Sequence, residues 1–148
     1  MDPQHIIDVC KANWEAHKSD CSGFVKAVCA ALGVKTFAPE DNADAIVDKL
    51  HAATDWTALT AGDGATAKAQ ADAGLLVIAG LKGADQARPD PHGHVVVVVT
   101  GPLDSTHGKY PTAYWGKLGD VGGRAQTINW AWSAGDRDRV GYFAKSLG

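Results

Sequence analysis

Apolar residues recur at helical spacing through the first half of the chain and in continuous β-branched runs through the second. From Pro3 to His17 the positions Ile6, Ile7, Cys10 and Trp14 mark one amphipathic face and predict a first helix. A short connection, Lys18 to Asp20, follows, and Ser19 or Asp20 can cap a second helix. Its stripe of Cys21, Val25, Val28 and Leu32 ends at Gly33, a residue suited to the left-handed C-terminal position. After Pro39, Asp41 or Asn42 can cap a third helix with Ile46, Val47 and Leu50 inward, and Gly62 to Ala73 is rich enough in alanine for a fourth. From Leu75 to Ala79, and from His94 through Val95–Val99 to Thr100, the pattern changes to strands. A valine run has no polar face, so that strand is expected to be covered on both sides, in the middle of a sheet. Weaker strand patterns follow at Tyr110–Trp115, Gln126–Trp132 and Val140–Lys145. Helices first and strands after predict an α+β domain with N-terminal helices packed on a central, mainly antiparallel sheet.

Composition narrows the function. The 148 residues suit one domain, 1–148, and 45% hydrophobic against 21% charged residues is an ordinary globular balance. A net charge of −3 leaves no basic surface for a phosphate backbone, so no nucleic-acid partner is expected. Neither a membrane-spanning run nor a secretion signal is legible, so a chain made in the cytoplasm, without membrane insertion, is expected. The lack of a heptad pattern gives no reason to expect a coiled-coil assembly, and a monomer is expected. Cys10, Cys21 and Cys29 are an odd count. Cys21 and Cys29 lie about 12 Å apart along one helix, beyond disulfide reach, so only a pairing through Cys10 is open; Cys10 and Cys29 are expected to pack where the first two helices meet.

The candidate chemistry lies in Asp20-Cys21-Ser22-Gly23-Phe24-Val25. A cysteine in the first turn of a helix meets free N–H groups and the positive end of the helix dipole, which favour a thiolate and can face an oxyanion. A thiol nucleophile needs an imidazole base, and Pro91-His92-Gly93-His94 leads into the valine strand. His94 shares a strand face with Val96 and Val98, so a helix over that face would bring Cys21 within reach. His92 falls in the approach loop. A zinc site from His92, His94 and either Cys21 or Asp90 competes weakly, because no second close ligand pair exists. Seven aromatics lie in the last 40 residues. They either stack on a sugar or peptide, as in a non-catalytic cell-wall binding module, or, with Trp130 and Trp132 alternating, cover one face of a strand. Gly135–Arg139 reads as a solvated turn with internal ion pairs.

Several blocks resemble a known family, the type VI secretion amidase effectors of the first group, papain-like relatives of the NlpC/P60 peptidases. They are Cys21-Ser22-Gly23-Phe24-Val25 with Ala30, Leu32, Gly33 and Val34; Asn42-Ala43 through Val47-Asp48 and Leu50; Leu76 to Gly83; Gly93-His94-Val95; Gly101-Pro102-Leu103; Lys109-Tyr110-Pro111; and Asp136 to Arg139. The resemblance implies a cofactor-free cysteine peptidase with Cys21 and His94 catalytic. It further implies cleavage of peptidoglycan stem peptides between γ-D-glutamate and meso-diaminopimelate, delivery by the type VI apparatus into a rival's periplasm, and a cognate immunity protein. In papain-like folds a further residue orients the histidine. Here His107, Asp104 or a backbone carbonyl between Thr112 and Trp115 could serve, and no motif decides among them.

Overall fold

The computed structural model describes residues 1–148. Four helices, α1 (Pro3–His17), α2 (Cys21–Ala31), α3 (Ala43–Ala52) and α4 (Gly64–Asp72), pack on six strands: β1 (Thr57–Ala58), β2 (Leu76–Leu81), β3 (His94–Val98), β4 (Thr112–Tyr114), β5 (Gln126–Thr127) and β6 (Gly141–Lys145). The strands form one sheet in the order β1-β6-β2-β3-β4-β5, and every pairing is antiparallel. This is the expected α+β class, in an arrangement consistent with a small papain-like fold. No helix is long and apolar enough to cross a membrane.

Local signals account for the helix ends. Asp20, not Ser19, caps α2 by accepting from the Gly23 N–H at 3.0 Å, and Gly33 adopts φ +75° just beyond it. Asn42 caps α3 through the Ala45 N–H, while Asp41 accepts from the Ala38 N–H and from Lys49 Nζ at 2.6 Å. Asp2 and Asp63 cap α1 and α4.

Strand alternation divides the interior into two layers. Val95, Val97 and Val99 face α1, α2 and α3, with Phe24, Val25, Val28, Ile46, Leu50 and Phe143. Val96 and Val98 face α4 and the C-terminal segments, with Ala67, Ala71, Tyr110, Trp115, Trp132 and Tyr142. The valine strand is therefore covered on both faces, as its unbroken apolar run requires. Cys10, Cys21 and Cys29 are all buried and free, and all belong to the first layer.

Three expectations need correction. Only Gln126–Thr127 of the expected strand Gln126–Trp132 pairs with β4. The Ile128 N–H then donates to Pro111 O at 3.0 Å and the chain turns into a 3-10 helix, Ile128–Trp130. In consequence Trp130 is 73% exposed and Trp132 is buried, so the two do not share a strand face. Second, the turn Gly135–Arg139 makes no internal ion pairs. Asp136 is buried and accepts from the Ala87 N–H at 2.7 Å, and Asp138 accepts from the Tyr110 hydroxyl. Third, helix α2 lies over Val95, Val97 and Val99, whereas the face that His94 shares with Val96 and Val98 is covered by α4 and Trp132.

Candidate functional site

A cleft of about 210 Å3 opens at the N-terminal ends of α2 and α3. Asp20–Ser22 and Asn42–Asp44 form two walls, Pro91–Gly93 a third, and Leu118 the rim. The walls approach closely at Gly93, where a Cβ would lie 2.3 Å from Asp44 Oδ1 and 2.9 Å from Leu81 O, so no other residue fits. Cys21 lines the cleft; His94 does not.

Cys21 nevertheless meets the strand that carries His94. The Val95 backbone N–H, next in sequence to His94, lies beside the Cys21 thiol and favours the thiolate, as do the Ser22 and Cys21 N–H groups of the helix start. Sheet geometry explains why Val95 is free to do this. In an antiparallel strand, alternate N–H groups point to the same neighbour. The Val99 N–H donates to Thr112 O at 2.9 Å on the β4 side, so the Val95 N–H points the same way. By then β4 has left the sheet, since its pairing with β3 covers only Val97↔Tyr114 and Val98↔Ala113. The start of α2 lies where β4 no longer pairs with β3, which sets the sulfur beside the edge of β3 while it stays in the first layer.

The departing β4 chain returns over the end of α1 and the connection into α2 and ties down the segment that precedes Cys21. Trp14 Nε1 donates to Trp115 O at 3.1 Å and Gly123 O at 3.0 Å. Lys18 O accepts from the Lys117 N–H at 3.0 Å and the Gly122 N–H at 2.7 Å. Gly116 passes so close to His17 O and Asp20 O that a Cβ would lie 2.2 and 2.6 Å from them.

Burial, the main influence on both groups, keeps them neutral. It pushes the Cys21 thiol up, assisted by the nearby Asp20 charge and opposed by the three N–H groups. The depressed thiol expected from helix position alone is thus overridden by desolvation. Burial also pushes His94 down to about 4, with the Lys117 charge adding to it. The imidazole packs edge-on against Trp132, ring centroids 5.1 Å apart at 67°.

Of the groups proposed to orient His94, two are committed elsewhere. Asp104 accepts from the backbone N–H groups of His107, Lys109 and Tyr110 at 2.7–3.1 Å, and pairs with His107 Nδ1 at 3.0 Å. Among the backbone candidates, Thr112 O is taken by Val99 and Trp115 O by Trp14. The zinc constellation does not assemble either: no three His, Cys, Asp or Glu side chains converge, and the Asp90 carboxylate accepts from the His92 N–H at 2.8 Å. Sequence reasoning missed the Val95 N–H, Leu118 and the Trp132 contact. Strand alternation carried a signal for the first alone, because the β4 ladder had to end before Val95.

No protein-family model matches the chain. It is, however, 40% identical over 154 aligned residues to the peptidoglycan amidase Tse1 of Pseudomonas aeruginosa, across 97% of this chain and 91% of that protein. Identity of that level, sustained over nearly the whole of both proteins, means that the chain belongs to the family of the peptidoglycan amidase Tse1.

Proposed function

We propose that this protein is a peptidoglycan amidase with Cys21 as nucleophile and His94 as general base, formed by residues 1–148 as one domain. The observation that carries the reading is the Cys21 thiol at the cleft wall, beside the amide of the residue that follows His94. In this mechanism the imidazole, rooted on the opposite sheet face, meets the sulfur around the edge of β3. Kinship with a peptidoglycan amidase supports the substrate class.

The reaction starts from a neutral thiol and a neutral imidazole. As Sγ attacks the scissile carbonyl carbon, His94 takes the thiol proton, and the carbonyl electrons move to oxygen. The free N–H groups around the sulfur are the donors available to that oxyanion. Collapse forms a thioester and expels the amine, which takes the proton from His94. Water then attacks the thioester with His94 again as base, releasing the carboxylate and regenerating the thiol.

The bond is the one between γ-D-glutamate and meso-diaminopimelate in the stem peptide, and the fold is of the NlpC/P60 papain-like kind. As an antibacterial effector the protein is delivered by the type VI apparatus into a rival's periplasm, and a cognate immunity protein protects the producer. These finer assignments follow the sequence blocks around Cys21 and His94. The test incubates wild type and Cys21→Ala with purified Gram-negative sacculi and identifies released fragments by mass spectrometry. New ends at glutamate and diaminopimelate, seen only with wild type, are expected. Equal digestion by Cys21→Ala would overturn the nucleophile, and cleavage at a different bond would overturn the specificity.

A further inference from the structure

The far end of β3 carries a second concavity. From His94 to Thr100 the strand and its extension run about 20 Å at 3.3 Å per residue, which places an open groove of about 610 Å3 well away from Cys21. One bank is the chain leaving β3, Thr100–Ser105, and the other is β5 with Ala125 and Trp130. Trp130 is the largest exposed apolar side chain in the molecule, at 73% accessibility. Its backbone is nonetheless well anchored, since Ile128, two residues earlier, is fully buried and bonded to Pro111 O. Ala125, at the start of the β5 bank, is the one non-glycine residue with positive φ, +49°. A strained residue and an uncovered indole on a fixed turn mark the position as one that packing does not require.

The polar groups around the indole define what it would hold. Asp104 is the groove's sole ionisable residue, and its carboxylate is already taken by three N–H groups and an imidazole. The Thr100 and Thr112 hydroxyls are likewise committed, to Asp72 and Pro102 O. Ser105, Gln126 and Thr127 keep side-chain donors and acceptors free of intramolecular partners, and β5 is an edge strand with one side of its backbone unpaired. A neutral groove with a flat apolar platform and free hydroxyl and amide groups fits a neutral ligand with an apolar face and many hydroxyls. A pyranose ring presents such a face of C–H bonds, and acetamido groups suit a strand edge. An anionic stem peptide finds no cation there.

We propose that this groove binds the N-acetylated amino-sugar backbone of peptidoglycan, with Trp130 as its stacking platform. The proposal rests on the peptidoglycan reading above. The sugar that bears a cleaved stem lies only a few linked units, roughly 10 Å of extended chain, from the scissile bond. At about twice that separation, the groove holds a sugar farther along the strand, or on a neighbouring strand, and keeps the enzyme on the polymer between cleavages.

The test is made in a Cys21→Ala background, so that nothing is digested while retention is measured. Co-sedimentation with purified sacculi is compared for Cys21→Ala alone, with Trp130→Ala and with Trp130→Phe. Removing the ring is expected to weaken retention about tenfold, whereas phenylalanine keeps most of it. Titration with N-acetylchitotetraose, which carries no peptide, is expected to shift the Trp130 indole N–H resonance. Thermal midpoints show that each variant is folded. Equal retention of the Trp130→Ala protein, or a sugar that moves no resonance in the groove, would overturn the proposal. A wild type that cleaves no stem peptide would overturn the amidase reading alone, since retention is scored without turnover.

Discussion

Two polar loci of this molecule, the Asp104–His107 pair and the proposed Cys21–His94 site, are built in opposite ways. In the loop after β3, Asp104 is surrounded by donors. Burial would push its carboxyl up, but the N–H groups of Tyr110, His107 and Lys109, with the His107 ring, outweigh it and hold the carboxyl well below its usual range. At the start of β3, Cys21 and His94 are pushed the other way, each toward its neutral form, by burial that the N–H groups only partly offset at Cys21 and that the Lys117 charge reinforces at His94. The Asp104 carboxylate has no bonding capacity to spare for a substrate. Cys21 and His94 are left with a proton to give and a lone pair to receive it. A saturated network fastens a loop, and an unsaturated one can do chemistry.

The largest test of this contrast is truncation at the proposed site. Cys21→Ala or His94→Ala should reduce hydrolysis of sacculi by at least about 10³-fold and shift the urea midpoint only by the packing each side chain loses. A residual rate within tenfold of wild type would erase the distinction between the loci. Asp104→Ala should do the reverse, costing ~3 kcal/mol of stability by leaving several N–H groups unpaired, read from urea unfolding.

The two loci also differ in how they respond to pH. Between the ordinary histidine value of 6.5 and about 4, the unfolded chain takes a proton at position 94 that the folded one refuses. His94 therefore makes stability fall as pH drops through that window and leaves it unaffected above it. The slope should shrink in His94→Gln. For the same reason, alkylation of Cys21 by iodoacetamide should stay slow at pH 7 and climb only above the ordinary thiol value of 9.0; a rate already at its plateau by pH 7 would show a resting thiolate–imidazolium pair instead. The smallest effect is expected for His107→Phe. Its ring is only half-buried, and the backbone donors on Asp104 survive the substitution, so a loss of about 1 kcal/mol or less should be seen by thermal unfolding.

Helix α2 was legible because its signals are local: an Asp20 cap, a stripe from Cys21 to Val28, and Gly33 to end it. The valine strand was equally plain, since only a doubly covered strand tolerates five consecutive valines. Strand β1 left no trace, because two exposed residues, Thr57 and Ala58, are extended only through pairing with Ala144 and Phe143. At Gln126–Trp132 the alternating tryptophans imitate a strand, and it is the distant Pro111 carbonyl that turns the chain after Thr127. In the candidate site, the residue types at Cys21 and His94 could be chosen from helix and strand position. The face of the sheet could not, because it depends on where β4 departs. Nor could the charge state of the thiol, since helix position and burial oppose each other and only the three-dimensional surroundings decide which is larger.

The clasp over the junction of α1 and α2 adds a condition on timing. Trp14 is fastened by carbonyls at positions 115 and 123, and Lys18 by amides at 117 and 122, so the segment that seats Cys21 is translated about a hundred residues after it. A ribosome-bound chain that has already exposed both Cys21 and His94 still lacks the strap that brings the sulfur to the edge of β3. A chain cut short before Gly123 would thus carry both residues of the proposed chemistry without the strap that seats Cys21.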